Sequence, residues 1–433
     1  EESQIYVSEE LLVTSDNNGK FKIVEEKAPQ GYEKNGWERT FVISGFEKKE
    51  VTYREEEACS NPPLWIEVSV HKKDIETGKP LSEVPFSIYQ WSDTKQEYVP
   101  YENLQEIKTD QNGAAKTERL YYNRENKGKF RLQEKKAKEY YFGDFAGQDS
   151  ERGKKNYDFQ ITEQNAGQTL ELTNTEKKNG FFNTPQKAAI AVKKTGEVLK
   201  GAKEKEDGVV FVYEERVQEG AHYEIVAAED IYKADGITLA FRKGECADKI
   251  VTGKDGKAVS KMLYLGKYHV IETKAPQGLV RKKTPAENTR TVTLSYRGEN
   301  VREYVSEEVV FRNERPKADV KVWKKESGSE TGLQGARFGL YAAELILADG
   351  NVAAVKDQLL ETAVSRRDGS CLFQADIPCG YQYYVKEIQA PVNYYKQTEK
   401  GRYTFSWSYE NDETARYSFP GIKAEQEAVF YNQ

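Results

Sequence analysis

Four variants of one short pattern recur along the 433-residue chain, and each marks the same point in a repeated unit. They are VEEKAPQGY at 24–32, QEKKAKEYY at 133–141, VIETKAPQG at 270–278 and KEIQAPVNYY at 386–395. In every copy a Glu follows an alternating apolar run: Phe21 and Ile23 precede Glu25, Phe130 and Leu132 precede Glu134, Tyr268 and Val270 precede Glu272, and Tyr383 and Val385 precede Glu387. Period-two alternation predicts a strand with one buried face. The Ala-Pro that follows in the best copies removes a backbone donor and fixes φ, so the strand is expected to end there. Each Glu is thereby set beside a core, where a carboxyl group is costly unless it is paired or protonated.

The repetition divides the chain into an incomplete unit over 1–63 and three complete ones over 64–180, 181–316 and 317–433. Twenty-eight Tyr and eighteen Phe against one Met point to strand-rich cores, and no long helical periodicity competes with that reading. The expected class is all-β. A net charge of −6 leaves no basic footprint, so nucleic acid is not an expected partner. No apolar run reaches membrane-spanning length, and no signal peptide or targeting tail is recognisable. Four Cys do not make a disulfide framework; Cys371 and Cys379 are the candidate pair, and Cys59 and Cys246 look solitary.

The first unit reads as the second half of a domain. DNNGKFKIVEEKAPQGY at 16–32 matches ENKGKFRLQEKKAKEYY at 125–141, and FVISGF and EVTYREEEACSN follow as candidate strands closing at Asn61. The second unit opens with Val68, Val70 and Lys72 alternating on one face, continues through PFSIYQW and TDQNG at 109–113 as a hairpin turn, and ends with Leu170, Leu172 and Asn174 sharing a face. Residues 175–187 read as a linker. The third unit repeats the plan with Ile190, Val192 and Lys194, then YEIVAAED, then Val309, Phe311 and Asn313; it also carries an extra segment, 203–220, expected as an inserted hairpin or an exposed loop. The fourth has Val320, Val322 and Lys324, then ARFGLYAAE, and closes on Val429 and Asn432. Its short junction to the third, NERPKA, favours a stiff series of domains over beads on a tether.

Each complete unit therefore sets a Lys on the apolar face of its first strand, a Glu on a middle strand and an Asn on its last, with roughly 100–120 residues from Lys to Asn. Desolvation penalises the ammonium form of a buried Lys and makes the neutral, nucleophilic amine accessible. Beside an Asn carboxamide such an amine can attack the side-chain carbonyl and expel ammonia, with a protonated Glu bonding the carbonyl oxygen and relaying protons. The product is an amide joining the first and last strands.

At these residues the chain resembles the Cna-B-type and SpaA-type domains of Gram-positive surface proteins and pilins. VIETKAPQG resembles their E-box, and VSVHKKDIETGKPL resembles their opening strand. The resemblance implies tandem immunoglobulin-like β-sandwiches in an elongated array, each closing its own Lys–Asn isopeptide bond. It assigns Lys72–Asn174 with Glu134, Lys194–Asn313 with Glu272, and Lys324–Asn432 with Glu387. The match is weakest in the second unit, where QEKKAKEYY lacks both Pro and Gly. The first unit keeps Glu25 and Asn61 as an orphan pair without an opening Lys strand: another fragment or molecule supplies those strands, or the half-domain is a truncation product, the reading preferred at this point.

Other chemistries find little support. His71, His222 and His269 are scattered and never spaced as metal ligands, so neither a metal nor a cofactor is expected. DNNG, DQNG and KDG are simpler as turns than as calcium loops, and no phosphate loop or nucleophile elbow occurs. Enzymatic turnover on an external substrate is not expected. The added segment of the third unit, with Phe211 and Tyr213, is the candidate ligand contact. The resulting expectation is an extracellular adhesin or stalk fragment, attached to the cell wall through regions outside this chain, with a host extracellular protein or glycan as partner. The alternatives are a binder of a host soluble protein such as an immunoglobulin, and a pilus subunit.

Overall fold

The computed structural model describes residues 5–44, 51–55, 58–102, 106–143, 156–172, 181–396 and 401–433. Nearly all regular structure is strand; the helical pieces are the short segments Pro285–Asn288 and Ile422–Ala428. The chain forms two compact units, one of residues 1–185 with Arg297–Arg302, the other of 186–296 with 303–433.

Within these units the second, third and fourth repeats share one plan of two facing sheets. In the third, His222–Ala227 and Gly266–Lys274 lie at the centre of a four-stranded sheet, flanked by Cys246–Val251 and Thr289–Leu294. The other sheet is organised on Ala191–Lys205, which pairs antiparallel with Gly208–Val217 and Lys257–Val259 and parallel with Val309–Asn313. The fourth repeat has the same pair of sheets, centred on Arg337–Ala342 with Tyr381–Gln389 and on Lys317–Glu326. The second repeat centres them on Pro85–Ser92 with Lys129–Glu134 and on Trp65–His71. Inward residues of the two sheets make the cores: Val192, Ile225, Val270 and Phe311 in the third repeat, and Val322, Leu340, Val385 and Phe430 in the fourth.

Several expectations shift. The first repeat yields a two-stranded sheet, Lys20–Val24 on Glu38–Val42, and the described part of EVTYREEEACSN carries no strand. With no facing sheet among the described residues, Ile23 and Val24 stay exposed, although Phe21, Phe41 and Tyr53 stack in sequence. The turn at 110–113 does not make a hairpin: Glu106–Lys108 pairs with one sheet and Ala114–Lys116 with the other, so the turn carries the chain across the sandwich.

The segment at 175–187 is not simply a linker. Phe182–Pro185 is a strand, parallel to Lys73–Asp74 and antiparallel to Tyr141–Phe142, so the second repeat runs past residue 180. Of the two forms expected for the added segment 203–220, the hairpin is the one found, and it is not exposed as a loop would be. Gly208–Val217 makes a long hairpin with Ala191–Lys205, and its Val209 and Phe211 enter the core of the fourth repeat.

Candidate cross-linking sites

The alternating first strand drives each Lys into the core because its apolar neighbours occupy the same face. Lys72, Lys194 and Lys324 are all 0% exposed. Each Glu ends the apolar face of a central strand in the opposite sheet and so meets the Lys across the sandwich. Lys72 Nζ lies 2.6 Å from Glu134 Oε2, Lys194 Nζ 2.5 Å from Glu272 Oε1, and Lys324 Nζ 3.2 Å from Glu387 Oε1. Burial pushes the ammonium groups of Lys194 and Lys324 below the usual lysine range, against the opposing pull of Glu272 and Glu387.

A buried carboxamide completes each set. Asn313 Nδ2 donates to Glu272 Oε1 and Oε2 at 3.1 and 3.0 Å, and Asn432 Nδ2 donates to Glu387 Oε1 at 3.0 Å. Lys324 Nζ also donates to Asn432 Oδ1. In the second repeat the carboxamide is that of Asn183, whose Nδ2 donates to Glu134 Oε1 at 3.0 Å. Asn174, expected in that place, lies outside the described residues. The last strand of every complete repeat runs in two parallel pieces along the first: Thr169–Leu172 then Phe182–Pro185, Glu303–Val305 then Val309–Asn313, and Arg416–Phe419 then Val429–Asn432. Leu172 belongs to the earlier piece, and the Asn that meets the Glu belongs to the later one. In all three repeats that Asn pairs with the residue two after the Lys: Asp74, Gly196 and Glu326.

The sequence offered a signal for Asn183: a Phe stands two residues before Asn183, Asn313 and Asn432 alike. That Phe walls the site together with an aromatic paired with the Glu on the neighbouring strand. The pairs are Phe86–Phe181, Tyr223–Phe311 and Phe338–Phe430, with ring centroids 5.1, 4.8 and 5.0 Å apart. They shield the Lys, Glu and Asn groups from water and lower the local dielectric.

A second group the sequence reading passed over holds the Lys backbone. The Lys72, Lys194 and Lys324 amides donate to the carbonyls of Gly113, Gly256 and Gly369 at 2.7, 2.7 and 2.8 Å. These glycines have φ of +70°, +71° and +79°, and a Cβ on any of them would run into the carbonyl oxygen of the same Lys. The crossing turns DQNG, KDG and RDG are thus part of the site.

In the first repeat, Asn61 Nδ2 donates to Glu25 Oε1 and Oε2 at 2.9 and 3.1 Å, in a part-buried setting. The pair forms as in the other repeats.

Two expected sites are corrected. Cys371 and Cys379 are free thiols. Cys371 faces the core from Ser370–Phe373, paired with Val322, whereas Cys379 precedes Tyr381–Gln389 in the opposite sheet and sets its Sγ 3.8 Å from the Trp407 carbonyl. Phe211 and Tyr213 do not stand out on an exposed loop. Phe211 is buried, Tyr213 Oη donates to the Asp376 carbonyl at 2.9 Å, and the Arg315 guanidinium stacks 3.5 Å from the Tyr213 ring centroid while pairing with Asp376. Among the described residues no group of three or more His, Cys, Asp or Glu is gathered as a metal site, and no helix is long and apolar enough to cross a membrane.

The family model described as the SpaA prealbumin-like fold domain matches residues 66–176, 219–295 and 318–418, more than half of the chain. The chain belongs to the SpaA prealbumin-like domain family. The matched SpaA segments hold Lys72, Glu134, Glu272, Lys324 and Glu387, and stop short of Asn183, Asn313 and Asn432. Among solved structures, the Bacillus anthracis TIE protein is 18% identical with a TM-score of 0.49 over 86% of this chain, which spans about half, 52%, of that protein. The Streptococcal ancillary pilin is 14% identical, TM-score 0.24, with 85% of this chain and 98% of that one covered. The major pilin subunit BcpA of Bacillus cereus is 13% identical, TM-score 0.29, with 85% and 99% covered. No curated protein sequence matches the chain.

Proposed function

We propose that the chain is part of a Gram-positive surface or pilus protein whose SpaA repeats lock themselves by intramolecular Lys–Asn isopeptide bonds: Lys72–Asn183, Lys194–Asn313 and Lys324–Asn432. The observation that carries this reading is the recurrence, in three repeats, of a fully buried Lys meeting a Glu that is hydrogen-bonded to a buried Asn. Such a trio is expensive to bury as a mere ion pair, because the desolvation penalty rivals the attraction.

The chemistry balances within the site. The ammonium passes one proton to the Glu, and the free amine attacks the Asn Cγ. The new N–C bond forms, the amine nitrogen sheds a second proton, and the Cγ–Nδ2 bond breaks. The Asn nitrogen departs with both protons as ammonium, and the Glu ends as it began. The orientation suits the last step, since Nδ2 already faces the carboxylate that supplies its proton. Each Glu acts once, so the chain is not an enzyme in the turnover sense.

The bonds serve mechanical endurance and protease resistance at the cell surface. With Phe211 buried and Tyr213 half-buried against Arg315, the residues that suggested a host ligand no longer favour a binding role, and the stalk reading is preferred. Intact mass tests the mechanism: the purified chain is expected to fall short of its sequence mass by one ammonia per bond, three in all, and Glu272→Ala is expected to restore one. A mass equal to the unmodified sequence would falsify the cross-link reading.

A further inference from the structure

The stretch after Glu272 closes over the third site. Leu279 N–H donates to the Pro276 carbonyl at 3.1 Å and Val280 N–H to the Glu314 carbonyl at 2.8 Å, which folds Ala275–Arg281 back on itself. Leu279, 2% exposed, packs on Gly196, the residue paired with Asn313. The outer side of this cover is gripped by the loop between Tyr403–Trp407 and Arg416–Phe419 of the fourth repeat. Asp412 accepts twice there, through Oδ2 from Ala275 N–H at 2.8 Å and through its carbonyl from Arg281 N–H at 2.7 Å. Arg281 returns the contact, with its guanidinium 3.7 Å from the Asp412 carboxylate and 3.2 Å from that of Glu413. Tyr409 Oη donates to the Leu279 carbonyl at 3.0 Å.

The same double contact occurs in the first compact unit. Glu299 accepts from Ala137 N–H through Oε2 and from Gly143 N–H through its carbonyl, both at 2.8 Å. Ala137 and Ala275 each stand three residues after their Glu, and Gly143 and Arg281 nine. Glu299 and Asp412 each stand five residues past the end of a corresponding strand, at Leu294 and Trp407. Equal offsets at both ends, from local sequences as unlike as RGEN and ENDE, mark a built contact.

We propose that Asp412 is a positioning residue for the cross-link of the third repeat. By holding Ala275–Arg281 shut over Lys194, Glu272 and Asn313, it keeps water out and the reacting groups in register, so closure of that bond is coupled to folding of the fourth repeat. The proposal rests on the cross-link reading above. The test follows newly synthesised full-length chain by peptide mass, scoring ammonia loss separately at Lys194–Asn313 and Lys324–Asn432, alongside hydrogen exchange over 275–281. Asp412→Ala is expected to slow the third-repeat bond at least about tenfold while the fourth-repeat bond keeps its parent rate. Exchange over 275–281 should rise, and Asp412→Glu should recover most of the rate. A parent rate in the third repeat of Asp412→Ala overturns the proposal, and so does equal slowing of both bonds, which signals general misfolding. Absence of ammonia loss from the parent chain removes the cross-link reading and this proposal together, whereas an unchanged Asp412→Ala rate in a chain that does cross-link removes this proposal alone.

Discussion

Asn183 is the residue on which the proposed bond of the second repeat turns, since its carboxamide alone among the described residues meets Glu134. Asn183→Ala is therefore expected to restore one ammonia to the intact mass, and Asn174→Ala to leave it unchanged; the reverse outcome would return the acceptor role to Asn174. The Lys and Glu positions were legible because period two places a side chain on a known face, and burial of Lys72, Lys194 and Lys324 follows from that alternation. Asn174 satisfied the same alternation with Leu170 and Leu172, but the last strand breaks into two pieces, and no periodicity tells which piece reaches the Glu. The Lys charge gives a further residue-scale test. Because burial lowers the Lys194 pKa from its ordinary value of 10.5, the neutral amine becomes populated at a pH where an exposed lysine is still charged. The rate of bond formation after synthesis is expected to climb with pH along a limb centred below 10.5, and a limb at the ordinary lysine value would contradict desolvation as its cause. The sign for stability is the same. In Asn313→Ala, which leaves Lys194 unjoined, the charged amine penalises the fold below the lowered pKa, so stability should rise as pH climbs from there towards 10.5.

At the scale of elements, the crossing turns and the long hairpin show what pattern alone leaves open. A turn such as KDG between two alternating runs reads as a hairpin, yet here it passes from one sheet to the other and ends with a carbonyl that holds the Lys194 amide. Local turn chemistry specifies the bend but not which strands it joins. The hairpin over 203–220 was legible as strands but not as a buried element, because what covers it comes from residues far along the chain: the fourth repeat's core for Phe211, and Asp376 and Arg315 for Tyr213. The turn makes a sharp prediction. Gly256→Ala puts a Cβ against the Lys194 carbonyl at a φ of +71°, at a cost of about 1–3 kcal/mol. Peptide mapping should show a slowed Lys194–Asn313 bond with the bonds of the second and fourth repeats unaffected, while Gly253→Ala, at a glycine without positive φ or a tight contact, should leave all three intact.

At the scale of the whole molecule, the three proposed cross-links would give a chain that cannot be drawn out to its full length. In each complete repeat the first strand and the last run parallel and side by side, so a bond between them lies between the points where the chain enters and leaves. With the proposed bonds closed, force applied along the chain would pass through a covalent amide instead of a ladder of hydrogen bonds, each worth only about 1 kcal/mol net. The chain-entropy model for cross-links adds roughly 4–5 kcal/mol of stability for a loop of about 100 residues. The mechanical effect is larger in kind, because the roughly 120 residues between Lys194 and Asn313 would never bear load once those two side chains are joined. An extended chain spans at most about 3.3–3.6 Å per residue, so that loop withholds about 400 Å of contour. Single-molecule pulling of the parent chain is expected to show the three complete repeats as inextensible, and Glu272→Ala to release one added step of about 400 Å. Should the parent chain unravel through all three repeats, force would not be passing through Lys–Asn bonds, and the mechanical role would fall even where the mass shows ammonia to be gone.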